Sequence, residues 1–189
     1  GSNQIHAINI TGTDGVTLNG NITTDDTSGA SVSITGPVTL GGSITIDTQG
    51  ANNDGTITFA SSASINGNET LTLDSGTGAI ALQGVIGDGT ALAGLVINTT
   101  DGTQNTGTIE IFDIGDDDPA TGVDGTVSIG NANTQSLTLD GTNYDTTGAT
   151  VYEAASGNTI LITAASTSIS TVNNNLTFDG GNIVLSTAG

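Results

Sequence analysis

The sequence predicts an all-β chain folded as a parallel β-solenoid, and three observations favour this class. Short segments in which aliphatic residues alternate with Thr or Ser recur along almost the whole chain, and this period of two is typical of strands. No segment has the i, i+3, i+4, i+7 apolar spacing of a helix, and the abundance of Thr, Gly and Asn disfavours one. Groups of about three segments also repeat at offsets of 22 to 27 residues. We therefore expect essentially no helix and about three short strands per turn.

The individual strands are predicted where aliphatic residues alternate between turn-forming residues. Gly, Asn and Asp separate the segments, and these residue types favour turns for distinct steric and hydrogen-bonding reasons. In chain order the predicted strands include Val16–Leu18, Ser43–Ile46, Thr56–Phe59, Thr70–Leu73, Ala79–Leu82, Leu95–Ile97, Thr108–Phe112, Val127–Ile129, Leu137–Leu139, Ile160–Ile162 and Ile183–Leu185.

The repeat is defined by aligning the chain with itself. The aligned pairs are Val16–Thr23 with Val38–Thr45 (offset 22), Ser43–Asp47 with Thr70–Asp74 (offset 27), and Ile57–Phe59 with Ile80–Leu82 (offset 23). One turn of a parallel β-solenoid has this size, and its aliphatic residues stack on the same position one turn away at about 4.8 Å. The residues predicted to face inward in such ladders are Ile44, Ile46, Leu71, Leu73, Ile80 and Leu82.

An antiparallel β-sandwich is the alternative architecture, because sandwiches also contain short strands separated by turns. The sequence favours the solenoid for three reasons. Two-residue Asn-Gly or Asp-Gly hairpin loops are not the rule, the strands are unusually short, and the similarity between repeats spans three strands at a time. One stretch, 113–125, breaks the period, and we expect it to project from one edge as an acidic loop.

Composition and charge limit the classes of partner. The chain of 189 residues has no Lys or Arg and 19 acidic residues, giving a net charge of −19. Nucleic acids and anionic membrane surfaces are bound through Lys and Arg, so the sequence predicts neither, and any charged partner is expected to be a cation. No apolar run is long enough to span a membrane, and the absence of Cys excludes a disulfide scaffold. We expect a single solenoid domain over 1–189, excised or processed from a longer repeat protein.

Catalytic residues are not predicted, and the sequence indicates a protein that is not an enzyme. Parallel β-helices also include pectin-degrading enzymes, and Asp116, Asp117 and Asp118 have the residue type required for a paired-carboxylate site. A site for acidic polysaccharide normally holds the substrate carboxylates with Arg or Lys, and this chain has none. Hydrolase and lyase functions are therefore disfavoured.

Calcium is the metal that the sequence best accommodates. Five carboxylates, those of Asp113, Asp116, Asp117, Asp118 and Asp124, fall within twelve residues, and Ca²⁺ takes six to eight oxygen ligands from such groups. The spacing matches neither an EF-hand nor the nonapeptide of calcium-binding β-rolls. A solvated acidic loop is the competing interpretation, because clustered Asp is common in exposed turns.

Threonines on the outward face allow a further interpretation. Thr56 with Thr58, and Thr70 with Thr72, place hydroxyls at alternate positions, which stacked turns would convert into a regular array. Such arrays resemble the faces of ice-binding β-solenoids. Thr is also a preferred β-branched residue of solvated strands, and outward positions elsewhere carry Ala81 and Glu110.

Two stretches carry a resemblance to a known class of proteins. Val38–Thr48 and Ile65–Ile80 resemble the β-strand repeats of giant bacterial surface and secreted proteins, including filamentous-haemagglutinin-like and autotransporter-like adhesins. The resemblance implies a right-handed parallel β-helix, an extracellular or cell-surface location, and a role as a stiff spacer or adhesion stalk. The implied partners are adjacent repeats or copies of the chain end to end, and a cell-surface glycan or protein. A calcium-dependent carbohydrate-binding module and an ice-binding solenoid are the alternative functions.

Overall fold

The protein consists of short strands joined by tight corners. The structure, a computed structural model, describes residues 6–24, 29–98, 106–116 and 121–186. Within these ranges there are twenty strands and no helix. The strands are β1 (Ile8–Thr11), β2 (Val16–Leu18), β3 (Ile22–Thr23), β4 (Val32–Thr35), β5 (Val38–Leu40), β6 (Ile44–Asp47), β7 (Ile57–Phe59), β8 (Ile65–Asn66), β9 (Thr70–Asp74), β10 (Ile80–Leu82), β11 (Gly94–Ile97), β12 (Thr108–Ile111), β13 (Val127–Ile129), β14 (Ser136–Leu139), β15 (Asn143–Asp145), β16 (Thr150–Glu153), β17 (Thr159–Ile162), β18 (Ser168–Ser170), β19 (Leu176–Asp179) and β20 (Asn182–Leu185).

These strands form three parallel walls around one core. Wall 1 has the order β1-β4-β7-β10-β12-β14-β17-β20, and wall 3 has the order β3-β6-β9-β11-β13-β16-β19. Wall 2 contains β2-β5-β8 and β15-β18, which single-residue parallel bridges at Ile86 and Ile114 join into one ladder. The chain visits walls 1, 2 and 3 in turn, and the eight strands of wall 1 correspond to seven turns. The predicted parallel β-solenoid is confirmed, and the antiparallel sandwich is excluded.

The register agrees with the repeat that the sequence predicted. Val16 pairs with Val38, and β6 and β9 pair at the predicted offset of 27. The offset of 23 between β7 and β10 is also confirmed. The prediction was wrong at Ile22, which pairs with Ile46 rather than with Ile44.

The corner lengths explain the difference at Ile22, because the stretch between Leu18 and Ile22 is two residues shorter than the stretch between Leu40 and Ile46. β3 therefore pairs two residues farther along β6, and the Asn21 side chain supplies a further hydrogen bond between the two turns. The carbonyl oxygen of the Asn21 side chain accepts this bond from the N–H of Thr45 at 2.9 Å. Because side chains alternate with a period of two, the shift keeps Ile22 on the inward face.

The core is a set of aliphatic ladders that run along the solenoid axis. All six residues predicted to face inward are buried, with at most 2 % of their surface exposed. Complete burial of one Ile or Leu side chain contributes about 1.5–3 kcal/mol, so the ladders are the main stabilising feature. One wall 1 ladder consists of Ile8, Val32, Ile57, Ile80, Ile109, Leu137, Ile160 and Ile183.

Aromatic side chains replace aliphatic ones in the last turns of the core. The Tyr144 and Tyr152 rings meet edge to face at 6.4 Å, and Tyr152 stacks on Phe178 at 5.1 Å. The Tyr144 hydroxyl accepts a hydrogen bond from the N–H of Gly141 and donates one to the carbonyl oxygen of Ile111. The Tyr152 hydroxyl is fully buried and has no hydrogen-bond partner within the described residues. Burial raises the pKa of both tyrosines.

The corner between walls 3 and 1 requires glycine. A Cβ atom on Gly78 would lie 2.0 Å from the carbonyl oxygen of Gly55 one turn below, and a Cβ on Gly107 would lie 1.9 Å from that of Gly78. Next to this column, Asn98 adopts a φ of 45°. Its side chain accepts from the N–H of Ser75 and donates to the Ser75 hydroxyl. These contacts satisfy polar groups that the corner buries.

The stretch 113–125, predicted to project as a loop, enters the walls at both of its ends. Ile114 and Val123 are fully buried and form parallel bridges with neighbouring turns. The prediction was therefore wrong for these ends, because each has an inward aliphatic residue that replaces a strand of the regular turn. Residues 117–120 lie outside the described residues.

Candidate functional site

Asp113, the first of the five predicted calcium ligands, is a structural cap. Its side chain is buried, and Oδ1 accepts hydrogen bonds from the main-chain N–H groups of Thr142 and Asn143 at 2.6 and 2.8 Å. These donors belong to the next turn, so the carboxylate joins two turns where β15 begins. Sequence reasoning missed this role because the two donors are about thirty residues away in the chain.

The other four predicted ligands do not form a described metal site. Asp116 is exposed and accepts a hydrogen bond from the Thr121 hydroxyl at 2.9 Å. Asp124 is also exposed, and its main-chain N–H donates to the carbonyl of Leu92 in the neighbouring turn. Asp117 and Asp118 lie outside the described residues. Among the residues that are described, no three acidic or His side chains converge as metal ligands would. Calcium binding at this stretch stays a prediction.

Three carboxylates gather instead at the edge of wall 3. Asp47 and Asp74 pair in register at the ends of β6 and β9. The carboxylate of Asp54 lies close to Gly76, which belongs to the next turn. The Asp54 Oδ2 accepts from both the N–H and the hydroxyl of Thr77 at 2.7 Å. The sequence alignment already paired Asp47 with Asp74, but Asp54 lies in a corner that no periodicity describes.

The electrostatics of this group act mainly on Asp74. Burial raises the pKa of Asp74, and the negative charges of Asp47 and Asp54 raise it further, although the N–H of Gly76 opposes them. Each carboxylate also accepts a hydrogen bond from a main-chain N–H of its own corner. For Asp47 the donor is the N–H of Gln49, at 2.9 Å. These bonds are typical of turns that Asp stabilises, so the geometry explains the cluster without a ligand.

A second in-register acidic pair lies farther along wall 3. Glu153 of β16 pairs with Asp179 of β19, and both line a shallow depression of about 200 Å³. Ala132 and Ser156 complete much of its lining, and no aromatic ring contributes. The depression combines negative charge with small side chains.

An exposed ring distinguishes one groove on the outside of wall 1. Phe112 is 40 % exposed and lines a groove of about 300 Å³ with Ser61, Gln83, Glu110 and Asp140. The sequence predicted Phe112 only as the end of a strand, although alternation with the inward Ile109 and Ile111 already places it on the outward face.

The predicted threonine array does not extend beyond one Thr in the row of Thr58 or two in the row of Thr72. In the outward rows, Thr58 lies between Ser33 and Ala81, and Thr72 lies between Thr45 and Val96. Mixed rows of this kind are typical of an ordinary solvated strand surface.

Comparisons with known proteins add no identification. Searches against protein families, characterised proteins and solved structures find no match to this chain. The described residues include no helix with the length and apolar character needed to cross a membrane. The resemblance to bacterial surface repeats therefore rests on the sequence patterns.

Proposed function

We propose that this chain is a structural or adhesive repeat module of an extracellular bacterial surface protein or fibre, in which it acts as a stiff spacer or stalk. The observation that supports the proposal is the continuity of the parallel ladders through all seven turns. Each turn contacts mainly its two neighbours, so length grows along one axis with the number of turns. Such a rod separates what is attached at its two ends.

The interior of the rod supports stiffness. In wall 1, Ile57 stacks on Ile80, and Ile80 stacks on Ile109, all within hydrogen-bonded strands. Close-packed cores resist deformation, because bending would open gaps between turns on one side and compress the other. Hydrogen bonds between turns run along the axis and oppose extension in the same direction.

The last turn offers a surface for a further module. Ile183 and Leu185 of β20 are 52 % and 75 % exposed, whereas Ile160 and Ile162 one turn below are buried. Another turn would cover these side chains and pair the open strand edge. We propose adjacent repeats or a second copy of the chain as the partner. Because the walls are visited in a fixed order, a following strand would continue the winding on wall 2, beside β18.

The charge of the surface suits a rod outside the cell. A net charge of −19 without any Lys or Arg makes the sides of two rods repel, which favours contact through the ends over lateral aggregation. Cell-surface glycans and proteins are the adhesive partners that such a module would present or reach.

A display experiment tests the spacer function. The chain is placed between a membrane anchor and a fluorescent reporter on the bacterial surface, and the height of the reporter above the membrane is measured. We expect a height increase of about 34 Å with a narrow distribution, from seven steps of about 4.8 Å. A Gly/Ser linker with the same number of residues is the matched control and should give a broad distribution, because its root-mean-square end-to-end distance is about 75 Å and fluctuates widely. Equal distributions would overturn the proposal.

An activity assay tests the absence of catalysis. The purified chain is incubated with a panel of neutral and acidic polysaccharides, and released sugars are measured. We expect none above the buffer level. If the chain releases sugars and the Asp116→Asn or Asp117→Asn variant does not, the spacer proposal is wrong and the chain is an enzyme.

A further inference from the structure

The groove around Phe112 has a composition that the fold itself does not require. Phe112 exposes 40 % of its surface, whereas Phe59, Tyr144 and Tyr152 are fully buried in the core. Phe112 is therefore only partly buried, and its exposed part leaves apolar surface in water.

The register explains how the groove is built. The N–H groups of Gln83, Phe112 and Asp140 donate to the carbonyls of Phe59, Leu82 and Ile111, respectively. Gln83, Phe112 and Asp140 thus occupy the same position in three successive turns, about 4.8 Å apart. The ring lies between an amide on one side and a carboxylate on the other.

A second carboxylate lies on the strand that leads to the ring. Glu110 is two residues before Phe112, so alternation directs both side chains outward while Ile111 between them is buried. On the opposite side, the Thr163 hydroxyl donates to Oδ1 of Asp140 and holds that carboxylate in place. Two negative charges therefore flank the exposed ring.

We propose that this groove binds an arginine side chain of a partner protein, with the guanidinium against the Phe112 ring and its N–H groups directed to Glu110 and Asp140. A guanidinium is planar, stacks on aromatic faces and donates to carboxylates, so it matches all three groups. Charge complementarity favours the same ligand, because the chain carries −19 and has no Lys or Arg that competes for the groove. A neutral sugar would stack on the ring and its hydroxyls would donate to the carboxylates, but it has no positive charge to complement the two negative ones. This inference does not depend on the spacer function.

The probe is a blocked Gly-Arg-Gly peptide, compared with the same peptide in which citrulline replaces arginine. Citrulline keeps the shape and most hydrogen bonds of arginine but lacks its charge. The chain has three Phe residues, so selective ¹³C labelling of Phe gives a simple spectrum in which buried Phe59 serves as an internal reference. We expect the arginine peptide to shift the Phe112 ring signals at millimolar concentration, with saturation, and to leave the Phe59 signals unchanged. The binding should weaken as salt is added.

Matched variants separate the ring from the charges. Phe112→Leu keeps apolar bulk without an aromatic face, and binding followed through backbone amide signals of the groove should weaken about two- to fivefold. Glu110→Gln combined with Asp140→Asn should weaken it further. Glu153→Gln combined with Asp179→Asn is the control, because it removes two charges from an in-register region without a ring, and it should leave binding nearly unchanged.

Each contrary result overturns the proposal. Equal binding of the citrulline peptide would show that charge is not recognised. Equal losses in the two double variants would show only the long-range field of an acidic protein. Shifts of Phe112 by a neutral oligosaccharide such as maltohexaose, without shifts by the arginine peptide, would assign the groove to carbohydrate. The melting temperatures of the variants, measured alongside, confirm that each is folded.

Discussion

Asp47 and Asp74 lie directly opposite each other on neighbouring parallel strands, with like charges in register. Such a pair is destabilising unless other contacts offset the repulsion. Each carboxylate here accepts a main-chain N–H from its own corner, from Gln49 and Gly76, respectively. The corners gain hydrogen bonds, while burial and the charges of Asp47 and Asp54 raise the pKa of Asp74.

Replacement of Asp74 by Asn should stabilise the protein at neutral pH. Because folding raises the pKa of Asp74, the protonated carboxyl favours the folded state. This contribution to stability is fully present below the ordinary Asp pKa near 4 and is lost as the pH rises through the raised pKa. Asn keeps an acceptor for the N–H of Gly76 and is never charged. We expect an increase of on the order of 1 kcal/mol or less at pH 7, or a few degrees in Tm.

Thermal melts at pH 7 and at about pH 3.5 test this pH dependence. The gain of Asp74→Asn should become much smaller at the lower pH, where Asp74 is mostly protonated in the folded state and more than half protonated in the unfolded state. Asp14→Asn, at an exposed turn, is the control for the loss of one charge. A gain that is the same at both pH values, or the same in the control, would contradict the role of the Asp74 environment.

Replacement of Gly78 by Ala should destabilise the solenoid by about 2 kcal/mol or more, because its Cβ would lie 2.0 Å from the Gly55 carbonyl oxygen and two turns would have to separate. Gly42→Ala is the matched control, since no atom lies within 4 Å of its Cβ, and it should change stability by less than about 1 kcal/mol. Urea unfolding measures both. Similar losses in the two variants would show that the turns do not approach as closely as described.

The two core tyrosines should respond in opposite ways to removal of the hydroxyl. Tyr152→Phe removes a buried group without a partner among the described residues, so we expect no loss, or a gain of about 1 kcal/mol. Tyr144→Phe leaves the N–H of Gly141 without its acceptor, and we expect a loss of about 1–3 kcal/mol. Chemical unfolding of the two variants provides the comparison. A loss in Tyr152→Phe equal to that in Tyr144→Phe would indicate a hidden partner for Tyr152.

The sequence predicts the walls better than it predicts the corners. Strand pairs such as Ile44 with Leu71 follow from alternation and a repeat offset, because inward positions must stack on inward positions. The register of Ile22 does not follow, since the corner before Ile22 is two residues shorter than the corner before Ile46. The bridges at Ile114 and Val123 involve one residue each, too short for any period to identify.

Candidate sites are harder still to predict, because they depend on contacts between turns. Five carboxylates close in sequence suggested a shared metal site, yet Asp113 caps main-chain groups about thirty residues away. The Phe112 groove combines residues from four segments of the chain, which meet only after the offsets between turns are known.

Calcium should stabilise the protein beyond the effect of salt if the stretch from Asp113 to Asp124 binds it. A ligand that binds only the folded state adds about 2.7 kcal/mol at a hundredfold excess over Kd. We predict that millimolar CaCl₂ raises Tm more than NaCl of equal ionic strength. Replacement of Asp116, Asp117 and Asp118 by Asn should remove the excess. Equal shifts in the two salts would show that only general screening of the negative charge occurs.

The stacking of all seven turns along one straight axis is the central structural claim, and a distance between the first and last turns measures it. Asn9 and Val184 are exposed and occupy the same outward row of wall 1, seven steps apart. The chain has no native Cys, so spin labels attached after Asn9→Cys and Val184→Cys are specific. The pair Asn9→Cys and Glu110→Cys, four steps apart in the same row, is the matched control.

Double electron–electron resonance measures the distance between the two spin labels of each pair. Steps of about 4.8 Å predict separations of about 34 Å for the long pair and about 19 Å for the control, each with a narrow distribution. The difference of about 14 Å between the two pairs cancels the linker contribution of the label at residue 9, which both pairs share. Equal distances for the two pairs, or a broad distribution for the long pair, would contradict a straight parallel solenoid.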